Sequence, residues 1–350
     1  MDIINLMNDI IAEIKNEPQE SINSRVLIID GLNNFIRNWV AYPLTNDDGD
    51  HMGGCVGFLQ SMGSAISVIN PTRIIIAFDG KGGSKYRKSL YPEYKANRNA
   101  PPKTNRKYEF QKDEDASKSM AFEMQKLLQY LKVLPVTIMM HDNIEADDII
   151  GYVAHEFFND TNNKLYIMST DRDFYQLINK SVSIYNPIKK CIIDEKLFST
   201  EFNNINKNNF ILLKSLLGDD GDNIPGLKGL GVKTILKNFN ILSSNENLTC
   251  ETLIEWTKNL EKKSKAHNTL LENYEQFLLN YKLIKLDSKF INQNTRMHIL
   301  TLWNNKPPTL QKISLINLLI KDKVVNNFKN IHVWISEKFS YLDSFKNLNK

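Results

Sequence analysis

Five short apolar runs, separated by helix-sized intervals, constrain this chain more than any other feature. They are Val26 to Asp30, Arg73 to Asp79, Val136 to Met140, Lys164 to Met168 and Val182 to Tyr185. Runs this short and rich in Val and Ile, alternating with helical patterns, predict a parallel α/β sheet buried on both faces. Between the second and third runs, Met120, Met124, Leu127, Leu128 and Leu131 recur at helical spacing. After the third, Ile149, Ile150, Val153, Ala154, Phe157 and Phe158 trace one apolar face. Near residue 196 the alternation stops and helical patterns joined by polar loops take over. The expected organisation is a helical extension over 1–24, an α/β domain over 25–195 and a mainly helical region over 196–350. Within the extension, Met1 to Pro18 reads as a short amphipathic helix stopped by its proline.

Composition excludes several classes. With 350 residues, 42% of them hydrophobic, the chain has ample material for a core and no disordered bias. Cys55, Cys191 and Cys250 are far apart and form no C-x-x-C pair, which argues against a disulfide framework or a zinc ribbon. No run approaches the ~20 apolar residues of a membrane-spanning helix. The N-terminus lacks a basic leader, so a cytoplasmic, non-membrane protein is expected.

Three of the apolar runs lead straight into aspartate: Asp30, Asp79, and Asp171 with Asp173. A single such residue could be a helix N-cap. Three of them at the carboxyl ends of strands in one sheet mark the edge where α/β folds build their sites. Glu145, Asp147 and Asp148 open the next helix from the same edge, and Asp219, Asp220 and Asp222 follow in a glycine-flanked turn. Hard oxygen donors without His or Cys select Mg²⁺ or Mn²⁺ over zinc. Two such ions about 3.5–4 Å apart catalyse in-line phosphoryl displacement. Setting aside nine of these acids, Asp220 excepted, leaves 44 bases against 31 acids, a surface suited to a phosphate backbone.

Residues 81–112 carry ten Lys or Arg against two acids, interleaved with Tyr86, Tyr91, Tyr94 and Tyr108. With Gly82, Gly83, Pro92, Pro101 and Pro102, this stretch predicts a long loop or a pair of short helices outside the sheet. Cations mixed with aromatics suit single strands. Lys95 and Arg98 are the pair placed at the scissile phosphate, to meet developing charge. Further on, Asn223-Ile-Pro-Gly-Leu-Lys-Gly-Leu-Gly-Val-Lys-Thr234 reads as a glycine hairpin opening a helix, a DNA-backbone grip through Gly226, Gly229 and Gly231 with Lys228 and Lys233.

The segments LIIDG (27–31), AFDG (77–80), YPEYKANR (91–98), EADD (145–148), STDRDF (169–174) and GDDGDNIPGLKGLG (218–231) together resemble the flap endonuclease or 5′-nuclease superfamily. The likeness is greatest to the tailed-phage ribonuclease H branch and covers roughly 25–300. It implies a PIN-like core with a helical arch, then a helical region with a helix-hairpin-helix. It also implies one metal site from Asp30, Asp79, Glu145, Asp147 and Asp171, and a second from Asp148, Asp173, Asp219 and Asp222, with Asp220 a bystander. Lys81, Lys85 and Arg87 match outer clamp charges of the arch, and Tyr94 belongs to the same DNA-facing segment. The implied activity is 5′-3′ exonuclease and flap endonuclease cleavage of nicked or branched DNA and RNA-primed duplexes, removing lagging-strand primers. A monovalent cation at the hairpin, a monomeric state, single-strand-binding-protein or sliding-clamp partners, and a host cytoplasm for a phage-encoded chain are further implications.

Other readings are tested against the same residues. A haloacid-type phosphatase needs a second Asp two positions after the first, where Leu32 stands. Gly80-Lys-Gly-Gly-Ser84 lacks P-loop spacing. A non-catalytic DNA-junction scaffold and a PIN-type ribonuclease stay open; a scaffold would be free to lose costly acids, yet all nine are present, and the ribonuclease explains neither clamp nor hairpin.

Overall fold

The computed structural model describes residues 21–346, apart from 99, 105–109, 111, 160, 203, 204, 288 and 289. The helix expected over 1–18 lies outside the described residues, as do Arg106, Lys107 and Tyr108 of the basic segment.

All five expected strands form: β1 (Arg25–Asp30), β2 (Arg73–Ala77), β3 (Thr137–Met139), β4 (Lys164–Met168) and β5 (Val182–Asn186). A sixth, β6 (Cys191–Ile193), was not anticipated. The sheet order is β3-β2-β1-β4-β5-β6, parallel except for β6, which runs antiparallel to β5. Ile29 pairs with Ile76 on one side and Met168 on the other. The chain builds outward from β1 through β2 to β3 and then returns to β4, so the direction of winding reverses beside β1. In open parallel sheets that reversal point opens a crevice at the strands' carboxyl ends.

Alternating side chains of the central strands enter two cores, as strand geometry requires. Val26, Ile28, Ile75, Ala77 and Ile167 face one, and Leu27, Ile29, Ile74, Ile76 and Met168 the other. On the second face lie α1 (Gly31–Ala41), α2 (Gly53–Ile69) and, beyond the short α3 (Lys85–Leu90), the long α4 (Asp113–Lys132). On the first lies α5 (Ala146–Phe157), which buries the predicted Ile149, Ile150, Val153 and Ala154.

From residue 194 the chain is helical: α6 (Glu195–Glu201), α7 (Phe210–Leu217), α8 (Val232–Asn238), α9 (Cys250–Lys258), α10 (Lys265–Glu272), α11 (Tyr274–Ile284) and α12 (Gln293–Asn304). Phe210, Leu213, Leu253, Phe277 and Trp303 of this run join the first core, which is therefore continuous across residue 196. The last helices, α13 (Lys312–Lys321), α14 (Ile331–Ile335) and α15 (Leu342–Phe345), return to the opposite face, where Leu315, Leu319, Ile335 and Phe339 pack in the second core. Buried Arg73 at the start of β2 ties the two halves together by donating to the carbonyls of Leu302, Trp303 and Asn305 at the end of α12.

Candidate active site

The acids at the strand ends are held by the helices they start. Asp30 ends β1 and caps α1, accepting from the Asn33 N–H at 3.1 Å, while its other oxygen accepts from Ser169 at 3.0 Å. Asp79, two residues past β2, accepts from the Ala146 N–H at 2.7 Å and so caps α5 across the cleft. Asp171 follows β4 and caps the short turn Arg172–Leu177 by accepting from the Asp173 N–H at 2.8 Å. Together with Asp147 in the first turn of α5, these residues line one cleft of about 690 Å³, which Lys95, Arg98 and Asp222 also enter.

Electrostatics report how crowded this edge is. Burial, reinforced by Asp171 and Asp79, pushes the Asp30 carboxyl up to about 7. Burial, followed by the charges of Asp30 and Asp171, carries Asp147 well above the carboxylate range. Asp171 is raised by burial and by Asp219 and Asp222. A set of buried carboxyls that cannot all ionise together calls for added positive charge.

The chain supplies some of that charge itself. Described residues of the basic segment fold down onto the acids. Lys95 Nζ lies 2.5 Å from Glu145 Oε1 and 3.9 Å from Asp222. Arg98 donates to Asp222 at 2.5 Å and to the Gly221 carbonyl at 3.1 Å. Lys95 has φ 57°, and its N–H donates to the Asp222 carbonyl. A left-handed non-glycine residue costs of order 1–3 kcal/mol and collects at functional sites.

Two expected DNA contacts are corrected by burial. Arg87, read as an outer clamp charge, is 3% exposed. It donates twice to Asp148, at 2.7 and 2.9 Å, once to Glu145 at 2.5 Å and once to the Leu283 carbonyl. Tyr94, 1% exposed, donates to Asp222 at 2.8 Å and to Glu145 at 3.2 Å. Both residues point inward because two buried carboxylates need donors that solvent cannot provide. Lys81 and Lys85 remain exposed.

Asp148 is paired for the same reason. Both its oxygens accept from Arg87, so the carboxylate expected in the second group is paired with an arginine here. Glu145 has both oxygens engaged by cations as well, and although burial opposes it, Arg87 and Lys95 hold its carboxyl low.

The second group has a partner that sequence reasoning missed. Lys214 of α7 sits 2.9 Å from Asp173 and 2.8 Å from Asp219. Burial and Asp171 push Asp173 up to about 7 in spite of this lysine, whereas Lys214 outweighs burial at Asp219 and lowers it. Asp220 is exposed. Among the described residues no three acids, histidines or cysteines already converge as a finished cation cage. Lys95 and Lys214 span pairs of them instead. The donor set fits hard divalent cations: it is all oxygen, crowded and short of positive charge.

Beyond Asp222, the segment turns at Asn223 and pairs Ile224 with Asp219 through two backbone hydrogen bonds. Gly226 is a packing residue, since a Cβ there would meet the Leu217 carbonyl at 2.0 Å. Gly229, at φ 82°, and Gly231, which caps α8, face open space with Lys228 and Lys233 exposed beside them.

Residues 25–203 match the family described as "5′-3′ exonuclease, N-terminal resolvase-like domain". The chain belongs to the 5′-3′ exonuclease family. A 5′-3′ exonuclease of Buchnera aphidicola is 31% identical over 271 residues, 76% of this chain and 88% of the relative. A DNA polymerase I of Borreliella burgdorferi is 30% identical over 269 residues, 74% of this chain and 26% of the polymerase. In structure the chain is similar to the flap endonuclease of bacteriophage T5, solved with DNA and metal ions, with a TM-score of 0.58 and 20% identity over 85% of this chain and 99% of that one. As a member of this family, the chain is a hydrolase of phosphodiester bonds. Among the described residues no helix is long and apolar enough to cross a membrane.

Proposed function

We propose that this 5′-nuclease hydrolyses phosphodiesters near the 5′ ends of nicked, branched and RNA-primed duplexes, using two Mg²⁺ ions for which Mn²⁺ can substitute. The observation that carries the reading is the convergence of Asp30, Asp79, Asp147 and Asp171 in one cleft with the cations Lys95 and Arg98. Asp30, Asp79, Asp147 and Asp171, with Glu145, would hold one ion; Asp173, Asp219 and Asp222 would hold the other. When bound, such ions supply Lewis-acid activation of water and of the leaving oxygen.

The chain's own residues do the remaining work. Lys95 and Arg98 offset negative charge on the phosphoryl group as it becomes pentavalent. Arg87 and Tyr94 fix Glu145 so that the acids keep their places. The exposed amides around Gly229 and Gly231, with Lys228 and Lys233, grip the duplex beside the cut, and a monovalent cation at the hairpin would add to that grip. The basic segment arches over the 5′ strand, with Lys81 and Lys85 on its outside. In this reading residues 25–195 form the nuclease unit and 196–350 the duplex-binding unit. Removal of RNA primers during replication is the role that suits a relative named DNA polymerase I, with single-strand-binding protein or a sliding clamp as partners.

The test follows a 5′-labelled strand in a flap DNA and in an RNA–DNA primer duplex, with Mg²⁺ or EDTA, beside Asp171→Ala. The expected result is Mg²⁺-dependent cleavage near the 5′ end that Asp171→Ala lacks while still binding DNA. Tight binding by the wild-type protein with no cleavage of either substrate would favour a non-catalytic scaffold.

A further inference from the structure

The basic segment is fastened to the body by two kinds of contact. At the front, Lys95 and Arg98 rest on Glu145 and Asp222, acids that the proposed reaction assigns to metal ions. At the rear, the segment comes back to the body at Phe110, three residues before α4 begins. There the Phe110 ring stacks on Trp39 of α1, with centroids 5.5 Å apart and planes 5° from parallel, and stands edge-on to His51 at 5.9 Å. Trp39 and His51 are themselves in edge contact at 5.5 Å, so three rings meet in one seat.

This seat is built from buried groups with fixed partners and uses no acid of the cleft. Trp39 is fully buried and His51 nearly so. His51 Nδ1 lies 2.6 Å from Glu123 Oε1, while Glu123 Oε2 accepts from the N–H groups of Gly54 and Cys55 at 2.7 and 3.1 Å. Glu123 of α4 thus caps the start of α2, where unsatisfied N–H groups and the helix dipole favour a carboxylate, and its other oxygen fixes the His51 ring. Ile36 on α1 and Met120 on α4 line the cleft. Trp39 and Glu123 each follow three residues later, one turn beyond, so the seat joins the two helices behind the cleft.

We infer that Phe110 is a positioning residue, the pin that keeps the rear of the basic segment on α1 and α4 when Glu145 and Asp222 give up Lys95 and Arg98 to hold metal. The inference rests on the 5′-nuclease reading and deepens it. Carboxylate oxygens given to a divalent ion are no longer free to hold a lysine or an arginine, so the front grip weakens in the loaded enzyme. A stack of aromatic rings takes no part in that competition. Phe110 acts through Lys95 and Arg98, whose placement depends on how both parts of the segment are held.

The experiment compares wild type, Phe110→Ala and Phe110→Tyr. Trypsin can cut the segment after Lys103, Arg106, Lys107 and Lys112, and its rate, followed by mass spectrometry in EDTA and in Mg²⁺, reports opening of the segment without nuclease chemistry. Each ring contact corresponds to about two- to tenfold in an opening equilibrium, so Phe110→Ala should be cut about tenfold faster than wild type in Mg²⁺ and about threefold faster or less in EDTA. Single-turnover cleavage of a flap duplex by Phe110→Ala should slow about tenfold, while its affinity for the same DNA in EDTA, read by fluorescence anisotropy, stays within about twofold of wild type. Phe110→Tyr, which keeps the ring, should restore both rates. Equal tryptic rates for wild type and Phe110→Ala in Mg²⁺, or a loss confined to DNA affinity, would overturn the inference. A wild-type protein that binds DNA but never cuts it would overturn the nuclease reading alone, because proteolysis still decides about Phe110. Thermal unfolding of each variant separates a lost pin from a lost fold.

Discussion

Arg87→Met tests whether the basic segment is anchored from within. Arg87 makes two hydrogen bonds to Asp148, one to Glu145 and one to the Leu283 carbonyl, at 3% exposure. Without it Glu145 keeps Lys95 and Tyr94, but Asp148 keeps only the Glu145 N–H at 3.4 Å. Removing one partner of a buried ion pair costs about 3–5 kcal/mol, a large part of the ~5–15 kcal/mol that holds a typical domain. Urea unfolding of the metal-free protein at pH 8 should show a loss of that size. Burial already raises the Asp148 carboxyl despite the arginine, so the abandoned group will take up a proton readily, and the loss should shrink at pH 5. Adding Asp148→Asn should recover part of it, since the uncompensated charge is then gone. A loss under about 1 kcal/mol, or one that does not shrink at pH 5, would refute the argument. An outer clamp cation would instead change only DNA affinity and its salt slope.

Three further outcomes are expected. Asp30 and Asp173 have folded-state pKa values of about 7, above the ordinary Asp value of roughly 3.9. The unfolded chain therefore releases those protons first, metal-free stability falls as pH rises from about 4 to 7, and thermal scans should show Mg²⁺ stabilising far more at pH 8 than at pH 5. Lys214→Ala should cost the metal-free protein about 1–3 kcal/mol, a penalty that saturating Mg²⁺ reduces in urea titrations by replacing the missing charge. Gly226→Ala should destabilise by about 1–3 kcal/mol through overlap with the Leu217 carbonyl, whereas Gly231→Ala, facing open space, should stay within about 0.5 kcal/mol of wild type in the same assay.

The parts of this molecule legible in its sequence are those where one local pattern suffices. A run such as Val26 to Ile29, apolar at every position, has few homes other than a strand covered on both faces, and a following Asp marks where that strand leaves the sheet. β6 escaped because three residues after a turn carry no period. Arg87 and Tyr94 were misplaced because a charge-rich stretch looks solvated, and only the tertiary fold reveals buried carboxylates behind it. Lys214 gave no local signal at all. Its meaning comes from standing on α7 opposite Asp173, 41 positions earlier in the chain.

The return of α13, α14 and α15 to the sheet face first covered by α1 and α2 has a consequence for biosynthesis. Leu27 and Ile29, which carry Asp30 at their end, share a core with Leu319, Ile335 and Leu342. Folding on the ribosome proceeds from the N-terminus, yet the layer of α2 and α4 on this side of the sheet lacks its outer partners until the chain has been made through residue 342. A nascent chain would thus carry every acid of its cutting edge while the platform beneath them is unfinished. The core behind the cutting edge should therefore reach its full stability only when the last helices dock onto α2 and α4.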